Sequence, residues 1–173
     1  MPQANEHDIY SLIGFALVYV QSVERNIKFC TTFVLQGETE LTWETLQHLE
    51  GQEKKKALGY FLGKVKERAQ LFPAFEELLN SFLKNRNDFV HNQDRIPGWS
   101  LSTESGITVA RSFVVSLLRQ AHTINEIFAA LITRWQEQAQ INAPTTPEIE
   151  TYLNEIEGRY GAYINMYFSA KET

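Results

Sequence analysis

Arg86, Asn87 and His91 stand close together in the run Arg86-Asn87-Asp88-Phe89-Val90-His91. Arginine clamps phosphate charge with a planar fork of N–H donors, and histidine exchanges a proton near neutral pH. Together the two can do phosphodiester chemistry without a metal. Cleaving RNA needs a base for the 2′-hydroxyl proton, an acid for the departing 5′-oxygen, and a cation over the charged phosphorus. Asn87 can orient an imidazole or donate to a phosphate oxygen.

Little else in the chain carries chemistry. There is no GxxxxGKS/T phosphate loop, no GxGxxG and no serine-centred nucleophile elbow, so ATP hydrolysis and hydride transfer are unsupported. His7, His48 and His122 lack metal-ligand spacing, and Asp94 with His91 makes at most a two-ligand pair. No metal or other cofactor is expected. The single cysteine, Cys30, excludes an internal disulfide and sits in an apolar stretch, where a thiol behaves as a small hydrophobe.

Net charge is −5, the wrong sign for a protein that coats itself in nucleic acid. The charge is uneven, however. Lys54, Lys55, Lys56, Lys64, Lys66 and Arg68 fall together against Glu53 and Glu67. Any nucleic-acid contact is therefore local, and Lys64, Lys66 and Arg68 are the candidates for steering phosphate. The alternative for this cluster is a solvated helix face.

The elements that must position these groups are helical. With 173 residues, 43% hydrophobic and 21% charged, the chain suits one soluble domain with a real core. The periodicity predicts five helices and no convincing strand. The first runs from His7 to Leu35, with Ile9, Ile13, Ala16, Val20, Val23, Ile27, Cys30 and Val34 at three- and four-residue steps. Phe15, Leu17, Val18 and Tyr19 widen its apolar stripe, which suits the centre of a bundle or a subunit interface. A polar connection from Gln36 to Gln52 follows, with Trp43, Leu46 and Leu49 offering a short covering helix.

The second helix is expected over Lys55 to Phe72 and the third over Ala74 to His91, divided by Pro73. Asn92 to Gly106 reads as loop around the Pro97-Gly98 turn signal. A long fourth helix covers Ile107 to Ala139. After a Pro/Thr linker, Thr146 caps a last helix over Glu148 to Phe168, with Pro147 at its first position. Its tyrosines fit a bundle layer or an arm over a partner. The expected fold is all-α: an up-and-down bundle of four to five long helices, one domain over 1–173 with its core at 7–139. The N-terminus lacks a basic secretory region, and Ile9 to Val20 is shorter than the roughly 20 apolar residues that span a bilayer. Cytoplasmic location and no membrane partner are expected.

On a helical wheel Arg86 falls within about 40° of the line through Phe75, Leu79, Phe82 and Phe89. A guanidinium on an apolar stripe needs a carboxylate, a subunit seam or a ligand anion. Asn87 and His91 share a face. Arg86 and His91 lie about 140° apart, so an ideal helix does not bring them together simply, although arginine's long stem closes part of the gap. A second subunit is the other way to complete the set. At the last turn, His91 faces carbonyls whose partial negative charge favours imidazolium. Its alternative role is to cap those carbonyls.

At these residues the chain resembles the HEPN superfamily of α-helical proteins. The family motif is Arg followed by a polar residue, with four to six residues between Arg and His, and Arg86-Asn87-Asp88-Phe89-Val90-His91 meets it. The resemblance implies a metal-independent endoribonuclease with Arg86, Asn87 and His91 in a composite site at a homodimer interface. It implies RNA as substrate, 2′,3′-cyclic phosphate and 5′-hydroxyl ends, and a role as a toxin or phage-defence effector, with a cognate antitoxin protein as a further partner. Many members serve instead as non-catalytic modules that bind a protein partner or nucleotide.

Overall fold

The chain is all-α. A computed structural model describes residues 4–35, 56–138 and 146–170. Helix α1 (Ala4–Phe29) continues into a wider π turn, Cys30–Val34. Then come α2 (Leu58–Arg68), strand β1 (Ala69–Leu71), α3 (Pro73–His91), α4 (Glu104–Gln138), α5 (Pro147–Tyr160), α6 (Ile164–Tyr167) and strand β2 (Phe168–Ala170). The short helix expected around Trp43, Leu46 and Leu49 lies outside the described residues, as do Lys54 and Lys55. No helix among the described residues is long and apolar enough to cross a membrane.

Local chemistry explains most boundaries. Thr31 Oγ1 donates to the Ile27 carbonyl at 2.7 Å, competing with the backbone ladder where α1 widens. Pro73 opens α3 with a ring already set to helical φ, and the Phe72 carbonyl accepts from Phe75 and Glu76. Thr146 Oγ1 accepts from Ile149 N, and Pro147 stands at the first position of α5, as the sequence predicts. Ile96-Pro97-Gly98-Trp99 closes a type II turn, with Gly98 at φ 76° and Trp99 N donating to Ile96 O at 3.1 Å.

Three expectations need correction. The second helix does not reach Phe72: it ends at Arg68, and Ala69–Leu71 pairs antiparallel with Phe168–Ala170 in the register Ala69↔Ala170, Gln70↔Ser169, Leu71↔Phe168. Strand is therefore present, where none was expected. The last helix is not continuous either. It breaks after Tyr160 into a 3-10 turn, a four-residue helix and β2. Ile149 and Tyr163 are exposed, and Ile156 is the buried anchor of α5.

The described residues fall into two compact units, each drawn from separated stretches of chain. The first takes residues up to Val23 together with Glu77–Ile124. Ile9, Ala16 and Val20 of α1, Leu79 and Phe82 of α3, and Val114, Leu117 and Ala121 of α4 are buried there at helical spacing. Tyr10, Phe15 and Val18 of α1 are exposed, Phe15 by 60% and Val18 by 65%. The second unit takes Glu24–Glu76 and the residues from Asn125 onward. Its core joins Phe61, Leu62 and Val65 of α2 to an aromatic cluster. Phe75 lies 6.1 Å from Phe128 and 5.3 Å from Phe168, and Phe128 lies 5.6 Å from Phe168.

Candidate active site

Helix α3 carries Arg86, Asn87 and His91 in its last turns. Leu79, Phe82 and Phe89, on the side of the helix that Arg86 shares, are buried in the first unit and fix its roll about its axis. Polar bonds add to that hold: Asn85 Nδ2 donates to Gln120 Oε1 at 3.0 Å, and Gln120 Nε2 donates to Ser81 Oγ at 2.9 Å. Behind the helix end, Trp99 packs edge-on against Phe89 at 6.4 Å and against Phe113 at 5.9 Å, while Ile96 is buried beside the turn.

Within one chain, Arg86 Nη1 reaches Asn87 Oδ1 at 3.0 Å and His91 Nε2 at 3.3 Å. Of the two routes the wheel leaves open, the long arginine stem and a second subunit, the stem is the one that brings these groups together within one chain. Arginine's four-bond stem turns the guanidinium back along the helix end and spans the angular gap. Arg86 and Asn87 are half-buried and His91 is exposed. Arg86 is thus not sunk in the apolar stripe, although Phe82 and Phe89 on either side of it are buried.

The hydrogen-bond sense follows from the donors available. A guanidinium can only donate, so His91 Nε2 accepts and the ring proton sits on Nδ1. Asp88 faces elsewhere, held by Lys84 Nζ at 2.8 Å.

The last carbonyls of α3 are capped by residues that sequence reasoning passed over. Asn92 N donates to Asp88 O at 3.0 Å, Asn92 Nδ2 to Asn87 O at 3.4 Å, and Gln93 Nε2 to Phe89 O at 3.0 Å. The imidazole of His91 is directed to Arg86 instead. The signal was available: two amide side chains immediately follow the final helical residue, where orphan carbonyls need donors.

Lys64, Lys66 and Arg68 lie on α2, in the second unit. Lys64 Nζ pairs with Glu67 at 2.7 Å, and this partner raises its pKa above the usual lysine value. Lys66 Nζ pairs with Glu76 at 2.9 Å, and Arg68 Nη1 donates to the Thr31 carbonyl. All three cations therefore have partners within their own chain. Among the described residues, no three His, Cys, Asp or Glu side chains gather as a metal site, and His122 Nδ1 bonds the Tyr19 hydroxyl at 3.2 Å.

Comparison with protein-family models, with curated proteins and with solved structures finds no match for this chain.

Proposed function

We propose that the protein is a metal-independent endoribonuclease of HEPN type, a single-domain up-and-down helical bundle acting as a cytoplasmic homodimer. The observation that carries this reading is the convergence of Arg86, Asn87 and His91 at the end of α3, with one guanidinium nitrogen 3.0 Å from the amide oxygen and 3.3 Å from the imidazole. In it, phosphate displaces the Arg86–His91 bond and takes the guanidinium as its charge clamp. The freed Nε2 accepts the 2′-hydroxyl proton, and the 2′-oxygen attacks phosphorus. The P–O5′ bond breaks and an acid returns a proton to the 5′-oxygen, leaving a 2′,3′-cyclic phosphate and a 5′-hydroxyl. Asn87 orients the guanidinium through its amide oxygen.

One motif supplies one imidazole, whereas the reaction uses a base and an acid. A second copy brings the other histidine and a second arginine. The exposed apolar residues of α1 support such a seam, since Tyr10, Phe15, Leu17 and Val18 all stand in solvent in the single chain. RNA is the substrate, and a toxin or phage-defence role with a cognate antitoxin protein is the biological setting that the motif suggests.

A second reading is a non-catalytic helical module that binds a protein partner or nucleotide, with Arg86 holding a phosphate or carboxylate. On α2, Lys64 and Lys66 are already paired with Glu67 and Glu76, which weakens the case for RNA steering by that helix. RNA cleavage in EDTA separates the readings. The wild-type protein is expected to cut and to leave cyclic phosphate ends, while Arg86→Ala and His91→Ala do not. Cleavage that persists in both variants, or that demands a divalent ion, refutes the nuclease reading.

A further inference from the structure

A cavity of about 250 Å³ opens in the second unit, lined by Arg68 at the end of α2, Arg134 and Trp135 on α4, Asn165 in α6, and apolar groups including Leu131 and Phe168. Its described lining carries two guanidinium groups and no carboxylate, in a chain whose net charge is −5. Arg68 Nη1 donates to the Thr31 carbonyl, and Arg134 Nη1 donates to the Gly161 carbonyl at 3.2 Å. These bonds fix the two side chains without neutralising them. A guanidinium has five N–H donors and stays charged at any physiological pH, so each retains donors beyond the one used by its backbone anchor. Two cations lining one cavity repel each other, and an anion bound by both removes that cost.

The rest of the lining indicates what the anion is attached to. Trp135 is half-buried and meets Phe29 edge-to-face at 6.2 Å, so its indole is held in place. Leu131 is buried and Phe168 half-buried beside it, giving an apolar surface. The volume lies just below the range of about 300–1,000 Å³ typical of drug-sized ligands, enough for a single ring with its head group and too small for an oligomer.

We propose that this cavity binds a small organic anion, with an oxyanion head between Arg68 and Arg134 and one planar ring against Trp135. Phosphate and carboxylate heads share this chemistry, because the arginine fork matches both. The inference stands independently of RNA cleavage, and its outcome leaves the assignment of Arg86 and His91 untouched.

The test uses the full chain with Trp43→Phe and Trp99→Phe, so that indole emission reports Trp135, alongside thermal shift of the wild-type protein. The probes are uridine 5′-monophosphate, benzoate, inorganic phosphate and uridine. Saturable binding of the nucleotide or the benzoate is expected with Kd below about 1 mM, with inorganic phosphate weaker and uridine silent. Which of the two ring-bearing probes binds more tightly assigns the head as phosphate or carboxylate. Arg134→Gln is expected to weaken binding about tenfold or more, and Arg134→Lys less, since it keeps the charge and loses the fork. Arg68 also anchors the end of α1, so Asn165→Phe serves as the variant that leaves both guanidinium groups in place. Asn165 is exposed, and the added ring fills the cavity mouth, which should abolish binding at unchanged melting temperature. No saturable response to any probe, or binding indifferent to Arg134→Gln and Asn165→Phe, overturns the proposal. Inorganic phosphate binding as tightly as the nucleotide and benzoate overturns the role given to Trp135.

Discussion

Replacing Gly106 by alanine sets two predictable effects against each other in the unit that carries the Arg-Asn-His cluster. Gly106 is the third residue of α4, where alanine normally stabilises a helix by about 1 kcal/mol over glycine. Here an added Cβ lies 2.3 Å from Ser100 Cβ, 2.6 Å from Ser100 O and 2.8 Å from Thr103 Oγ1. Carbon atoms pack best at about 3.5–4.0 Å, and Ser100 O belongs to the backbone, so the loop itself must move. Such overpacking costs about 1–3 kcal/mol. The movement also strains the cap of α4, in which Thr103 Oγ1 accepts from Gly106 N at 3.2 Å and Thr103 O from Ile107 N at 2.9 Å; losing a cap costs about 1 kcal/mol. The clash and cap outweigh the propensity gain, for a net loss of about 1–3 kcal/mol and a fall in Tm of about 3–10 °C. Gly14→Ala is the control: Gly14 is exposed within α1 with nothing within 4 Å of its added Cβ, and Tm should rise slightly. Because Ser100 adjoins Trp99, which packs on Phe89 two residues before His91, emission from Trp99 should shift in Gly106→Ala as well. A Gly106→Ala protein that melts at or above the wild-type temperature would sink the close-approach argument.

Three further outcomes are expected. If Arg86 and His91 act as one hydrogen-bonded unit, each alanine variant lowers kcat about 10²–10³-fold, and the double variant falls close to the worse single one; losses that simply multiply would show two independent groups. Burial pushes the Cys30 thiol well above its ordinary pKa, so above about pH 8.5 the unfolded chain releases a proton that the native chain keeps, and stability falls as pH rises. Tyr152 and Tyr160, raised chiefly by desolvation, act in the same direction from about pH 10. Urea midpoints at pH 7 and 9.5 should diverge more for wild type than for Cys30→Ala, and equal divergence refutes the assignment. Phe128→Ala empties the centre of the aromatic cluster and should cost about 3–5 kcal/mol in denaturant unfolding; a loss under about 1 kcal/mol would mean that the cluster collapses around the gap.

The legible parts of the chain were those governed by near neighbours. Pro73 and the phenylalanine spacing placed α3 within a residue, and Thr146-Pro147 announced the start of α5, because caps and proline act over three or four positions. Ala69 kept helical phase with Leu58, Leu62 and Val65, yet its backbone is extended and pairs with Ala170, about a hundred positions later, which local periodicity does not encode. Tyr160, Tyr163 and Tyr167 likewise continued a helical rhythm across a broken backbone, where Arg134 takes the Gly161 carbonyl from a distant part of the chain. At the candidate site, the residue types and their helix end were visible in the sequence. Their meeting was obscured because a wheel tracks Cβ directions, whereas a long flexible side chain decides where its charged end arrives.

The pairing of Ala69–Leu71 with Phe168–Ala170 also bears on the order in which the second unit assembles. Isolated helical turns form in under a microsecond, but this ladder must first close a loop that contains all of α3 and α4. Phe168, the first residue of β2, is also the one that meets Phe75 and Phe128, so the aromatic cluster and the strand pair share a residue. Completing this unit's core therefore takes a long-range pairing as well as its helices. A change that breaks the ladder would leave Phe75 and Phe128 without Phe168 over them, and aromatic surface left open in that way favours aggregation.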